Sequence, residues 1–127
     1  MTVKERQELG RLCCAKLYEF ELFGAAEDKI CGESSDMARL ISECSVKTLG
    51  DYRTLLRIVK KQPRSVRVGV HSERIQDIID ELIDTKKRWI SLAQSCAFNM
   101  AGREKDLLLR LCESEQEEIY KLRRCLS

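Results

Sequence analysis

The chain has 127 residues, 35% of them charged and only 6% aromatic, with a formal net charge of +2. That near-balance excludes whole-chain electrostatics as a driver toward nucleic acid or acidic substrates, and no stretch approaches the ~20 apolar residues of a membrane span. The length suits one domain over residues 1–127 with a full core, and a single proline with few glycines favours long amphipathic helices over strands.

The charged opening Met-Thr-Val-Lys-Glu-Arg-Gln-Glu reads as helix rather than as a signal peptide. Leu9, Leu12, Cys13, Leu17, Phe20 and Phe23 recur at helical spacing and predict a first helix over about 3–29. Gly32 offers a stop, and Ser34, Ser35 or Asp36 a cap for a second helix over about 36–61. Met37, Leu40, Ile41, Cys44, Tyr52, Leu55, Leu56 and Val59 line that helix. Gly50 in its middle costs ~1 kcal/mol relative to alanine, which suggests close packing there. Gln62-Pro63 is expected to end the helix, because a residue before proline is pushed out of the α region.

Val66-Arg67-Val68-Gly69-Val70 then alternates like an extended segment with its valines inward. Ser72 is the expected N-cap of a third helix over about 72–100, carrying Ile75, Ile78, Ile79, Leu82, Trp89, Ile90, Ala93, Cys96 and Ala97. Ala101-Gly102 makes a short turn into a fourth helix over about 103–126. The pattern is an all-α four-helix bundle, two helical hairpins joined by a long crossover linker. The second helix would be ~39 Å long, and about ten extended residues reach ~35 Å, whereas up-and-down neighbours need only about 2–8 residues. The linker is therefore expected to run along the bundle and leave the second and third helices parallel.

Polar residues interrupt the inward stripes. The fourth-helix seam is Glu104, Leu108, Leu111, Glu115, Glu118, Leu122, Cys125, and a carboxylate pair on such a seam must be neutralised. A rotated stripe through Leu108, Cys112, Glu115, Ile119, Leu122 and Leu126 would keep Glu115 and release Glu118 to solvent. The third-helix seam, Ile75, Ile79, Leu82, Lys86, Trp89, Ala93, Cys96, Met100, is broken by Lys86 level with those acids. In the first hairpin Lys16 falls level with Thr48, and Asp51 lies one turn further on. The halves thus repeat one arrangement: a lysine faces Thr-x-x-Asp in one and Glu-x-x-Glu in the other. An aromatic follows each lysine, Phe20 and Trp89. The predicted buried cluster is Lys16, Thr48, Asp51, Lys86, Glu115 and Glu118.

On these residues the chain resembles the ferritin-like superfamily, and within it the rubrerythrin-type bundles. The likeness is strongest in the leucine-rich run from Arg103 to Leu122 and extends to Tyr18-Glu-Phe and Gly24-Ala-Ala in the first helix. The resemblance implies a crossover bundle holding a carboxylate-bridged di-metal centre, with one Glu from the first and third helices and Glu-x-x-His from the second and fourth. Here Lys16 and Lys86 stand at the bridging positions, Thr48 and Asp51 replace one Glu-x-x-His, and Glu118 replaces the other histidine. A lysine ammonium has no lone pair for a metal but pairs well with carboxylate.

The resulting expectation is a cytoplasmic bundle without a functional di-metal centre or cofactor. It would act as a structural or protein-interaction module, as a homodimer or with a protein partner, and more in that role than as an enzyme. One alternative is a metal-binding oxidoreductase relative holding iron or manganese on Glu115, Glu118 and Asp51. Another is an anion or nucleic-acid binder using Arg57, Lys60, Lys61, Arg64 and Arg67, part of a run with no acid between Tyr52 and Ser72. Cations at a helix C-terminus and a solvated linker explain that run more simply. The seven cysteines lack any C-x-x-C, and Cys44, Cys96, Cys112 and Cys125 fall on or beside apolar stripes as small core residues. His71, the only histidine, reads as a surface or capping residue.

Overall fold

The computed structural model describes residues 1–30, 35–64 and 67–126, the side chain of Ser35 excepted. Four helices fill it: α1 (Val3–Ile30), α2 (Ser35–Val59), α3 (Ile75–Phe98) and α4 (Gly102–Leu126), with no strand among the described residues. None of these helices is long and apolar enough to cross a membrane. Gly32, Ser34, Cys31, Val66 and the capping side chain of Ser35 lie outside what is described.

Local chemistry sets the described helix ends. A reciprocal capping box starts α1: the Glu5 N–H donates to Thr2 Oγ1 at 3.1 Å and the Thr2 N–H to Glu5 Oε1 at 3.4 Å. The α2 helix stops at Val59, two residues short of expectation, because Lys60 turns into the left-handed region at φ 59°. Its N–H still bonds the Leu56 carbonyl at 2.8 Å, so Lys60 ends the helix and Pro63 only follows. Ser72 does not cap α3. Arg74 holds that place in extended conformation without a side-chain bond. At the far end of α3, the Asn99 and Met100 N–H groups return to the Cys96 and Ala97 carbonyls at 3.2 and 3.1 Å. Gly102, at φ +72°, then opens α4.

The order of packing follows from a few contacts. Along α1, Gly10 faces Val59 and Glu19 bonds Thr48 of α2, so the two run antiparallel. Leu12 meets Trp89 and Lys29 meets Glu73, so α1 and α3 are antiparallel too. Both α2 and α3 therefore oppose α1 and are parallel to each other, as the linker length requires. They sit on a diagonal, with α4 packed on both. Pro63 and Arg64 lie beside the first half of α1, while the Val70 carbonyl accepts from Lys29 Nζ at 3.3 Å near its end. Residues 60–64 and 67–74 thus follow α1 down the bundle, with Val68 and Val70 half-buried against the core.

The core contains Leu9, Leu12, Leu22, Phe23, Ile41, Leu55, Ile79, Leu82, Leu108 and Leu122, all fully buried. Two sequence expectations change. Gly50 has open space around it rather than a close neighbour, and Cys125 is exposed. Cys13, Cys44, Cys96 and Cys112 are buried free thiols, whereas Cys14 faces out. A left-handed lysine carries strain of ~1–2 kcal/mol that glycine avoids. Lys60→Gly is accordingly expected to raise stability by ~1 kcal/mol in chemical denaturation, while Lys60→Ala leaves it unchanged.

Candidate functional site in the buried polar layer

The inward stripe of α1 is Leu9, Leu12, Lys16, Glu19, Phe23, Ala26, Ile30, in the 3–4 spacing of a bundle seam. It carries two charges into the interior. Lys86 of α3 and Glu115 and Glu118 of α4 meet them from their own seams, and Thr48 of α2 closes the layer. Lys16, Glu19, Thr48, Lys86 and Glu115 have no exposed surface, and Glu118 retains 3%. The rotated alternative for α4, which would free Glu118, does not occur. Asp51 is half-buried at the edge, with Oδ2 shielded from solvent. All six sequence candidates are thus in or beside one layer.

Lys86 is its centre. Its Nζ lies 3.0 Å from Glu19 Oε2, 3.0 Å from Glu115 Oε1 and 3.1 Å from Glu118 Oε2, and 4.7 Å from the Phe23 ring centroid. Lys16 Nζ lies 3.2 Å from Glu115 Oε1 and 3.4 Å from Glu19 Oε1, and sits 3.6 Å over the Trp89 ring. Each ammonium therefore meets an aromatic from the other hairpin rather than the one that follows it in its own helix. Trp89 is itself fixed by its indole N–H, which donates to the Leu12 carbonyl at 3.1 Å. Thr48 Oγ1 stands 2.8 Å from the Cys44 carbonyl and 3.1 Å from Glu19 Oε2, with one proton to share between them.

Glu19 is the residue that sequence reasoning missed. Its signal was present, since it lies three residues beyond Lys16 on the same seam. The stripe through Leu17 and Phe20 obscured it, yet both of those are only half-buried.

Two cations face four carboxyl groups, so protons must complete the balance. Burial pushes Glu19 up, but Lys86 and Lys16 outweigh it and hold this carboxyl down at about 2. Burial and the neighbouring Glu19 charge push Glu115 up to about 8, against the pull of the two lysines. Glu115 is thus the acid shifted toward its neutral form, whereas Glu19 accepts from Lys86 and Thr48 as a carboxylate. Asp51 is pushed up to about 6, chiefly by burial. Burial disfavours the Lys86 ammonium, yet its three acids hold its pKa above the ordinary lysine value.

One side of the layer is short of donors. Among the described residues Asp51 Oδ2, Glu115 Oε2 and both Glu118 oxygens find no hydrogen-bond partner, although Glu118 Oε2 is within ion-pair distance of Lys86. Asp51, Glu115 and Glu118 each bring an oxygen within 4.8 Å of the others, a spacing that a cation can bridge.

The predicted anion residues are not all together. Lys61 and Arg64 line a surface cavity between α1 and the linker, whereas Arg57, Lys60 and Arg67 are exposed elsewhere, as is His71.

Two outcomes follow for stability. Lys86→Met leaves buried acid uncompensated and is expected to cost ~3–5 kcal/mol, against ~0–1 kcal/mol for a surface pair. Adding Glu115→Gln should return part of that loss, measured by chemical denaturation of both singles and the double. The second outcome concerns pH. Glu115 and Asp51 have raised folded pKa values, so their contribution is present at low pH and fades as pH rises through about 6 and then 8. Glu19 has the opposite sign, and its contribution is lost as pH falls from 4.5 toward 2. Stability should therefore peak at about pH 4 and decline toward 8, and Glu115→Gln should flatten that decline.

Comparison of the chain with protein-family models, with curated proteins and with solved structures gave no match in any of the three.

Proposed function

We propose that this chain is a ferritin-like bundle in which an inter-helix charge layer stands at the di-metal position, and that it serves as a structural or protein-interaction module rather than as an enzyme. The observation that carries this reading is the position of Lys86. Its ammonium fills the centre of the layer and contacts three carboxylates from α1 and α4. A cation fixed there repels a metal ion and ties up the oxygens that would ligate one. The layer's other interior members are sealed from solvent, so no substrate meets them without opening of the helices. Exposed Tyr18 and Leu92 flank the α1/α3 groove and offer an apolar contact for a second copy or a protein partner.

Protein purified without chelator is expected to carry less than ~0.1 equivalent of iron, manganese or zinc by elemental analysis. Stoichiometric metal that disappears in Glu115→Ala would overturn the reading. Light scattering tests the interaction half: a dimer that dissociates in Tyr18→Lys with Leu92→Lys supports self-association through that groove.

A second reading has its own observation, the donor-poor trio Asp51, Glu115 and Glu118. If it takes a divalent cation, calorimetric titration of manganese into the protein gives saturable binding that Asp51→Asn abolishes. Titration without heat would discard this alternative.

A further inference from the structure

Arg6 and Arg11 of α1 line one surface cavity together with Lys61 and Arg64 from the start of the linker. The cavity has a volume of about 820 Å³, within the size range of small-molecule sites. No aspartate or glutamate among the described residues lines it. Among the described residues none of the four cations is ion-paired, although acids are nearly as numerous as bases in this chain. Folding explains only half of this set. Lys61 and Arg64 follow the C-terminus of α2, where positive charge is favourable. Arg6 stands in the first turns of α1, at the positive end of that helix, where a cation is unfavourable. Gathering four like charges there costs stability unless an anion joins them.

The floor of the cavity differs in character, being formed by Gly10, Val59 and Pro63. Gly10 is in mid-helix with a negative φ, and a Cβ there would meet Val59 Cγ1 at an ordinary 4.0 Å, so neither backbone nor packing demands glycine. A site for a hydrated inorganic anion has no use for an apolar floor, and a site for a neutral apolar ligand has no use for four cations. We propose that this cavity binds an amphiphilic anion, a phosphate or carboxylate head held by Arg6, Arg11, Lys61 and Arg64 with an apolar body on Gly10, Val59 and Pro63. The site shares no lining residue with the buried charge layer and stands or falls independently of it.

The test is calorimetric titration of the full chain with monomeric dodecyl phosphate, beside inorganic phosphate and the neutral octyl glucoside. Dodecyl phosphate should bind at least about tenfold more tightly than either, because only it engages both halves of the site. Arg6→Glu with Arg64→Glu should weaken it about tenfold or more, with the thermal melt retained. Gly10→Leu, a better helix former, should occlude the floor and weaken dodecyl phosphate while sparing inorganic phosphate. Equal binding of octyl glucoside, or unchanged affinity in both variants, would overturn the proposal. Displacement of dodecyl phosphate by a single-stranded oligonucleotide at lower concentration would also overturn it, in favour of a nucleic-acid surface.

Discussion

The bundle depends on one buried ammonium. Lys86 reaches from α3 to carboxylates on α1 and α4, and every one of those groups is withdrawn from water. Removing charges from solvent costs several kcal/mol per ion, and only close, multiple pairing offsets it. The consequence is geometric. A leucine seam tolerates small slips, because one methyl contact resembles another. Moving α4 by a helical turn, ~5.4 Å, would take Glu115 and Glu118 away from Lys86 and strand all three. The polar layer therefore specifies register and pairing among helices whose apolar seams are similar, and buried ionic groups are best attested in that role. The two aromatic contacts act in the same direction, since each fastens an ammonium of one hairpin to a ring of the other.

The crossover linker explains why α1 is the organising helix. It has α2 on one side, α3 on another, and residues 60–64 and 67–74 lying along it. Its exposed surface is correspondingly narrow, and its buried set includes Lys16 and Glu19 as well as leucines. The parallel arrangement of α2 and α3 follows from the same linker. A short loop would have forced those two helices to be antiparallel neighbours, and the cluster would then have been assembled from different faces.

Much of this was legible in the sequence, for identifiable reasons. Helix count and crossover came from periodicity and from a linker too long for a turn. The cluster came from polar residues breaking the α3 and α4 stripes at matching levels, which located Lys86, Glu115 and Glu118. The failures are equally physical. Glu19 was hidden because α1 is covered on three sides, so Leu17 and Phe20 made a second plausible stripe beside the true one. The end of α2 was placed too late because proline is a conspicuous breaker, whereas a lysine entering the left-handed region leaves no mark in composition. Ser72 was a sound candidate cap, but the helix begins after Arg74 without any side-chain cap. Such an end rests on tertiary packing rather than on local chemistry.

The layer is also unevenly built, and the unevenness bears on what it can do. Both lysines come from α1 and α3, which are neighbours, and both approach the same oxygen, Glu115 Oε1. Cationic charge is therefore concentrated on one side of the bundle. The opposite side, between α2 and α4, holds Asp51, Glu118 and the far oxygen of Glu115, where donors are lacking. Protonation relieves part of that excess, since Asp51 and Glu115 are both shifted toward their neutral forms. Two lysines carry the charge of one divalent ion, yet they cannot be moved aside as an ion can leave. The arrangement is thus a permanent tie between helices. What freedom is left lies with the protons and with the acid-rich edge at Asp51, the one member of the layer that reaches toward solvent.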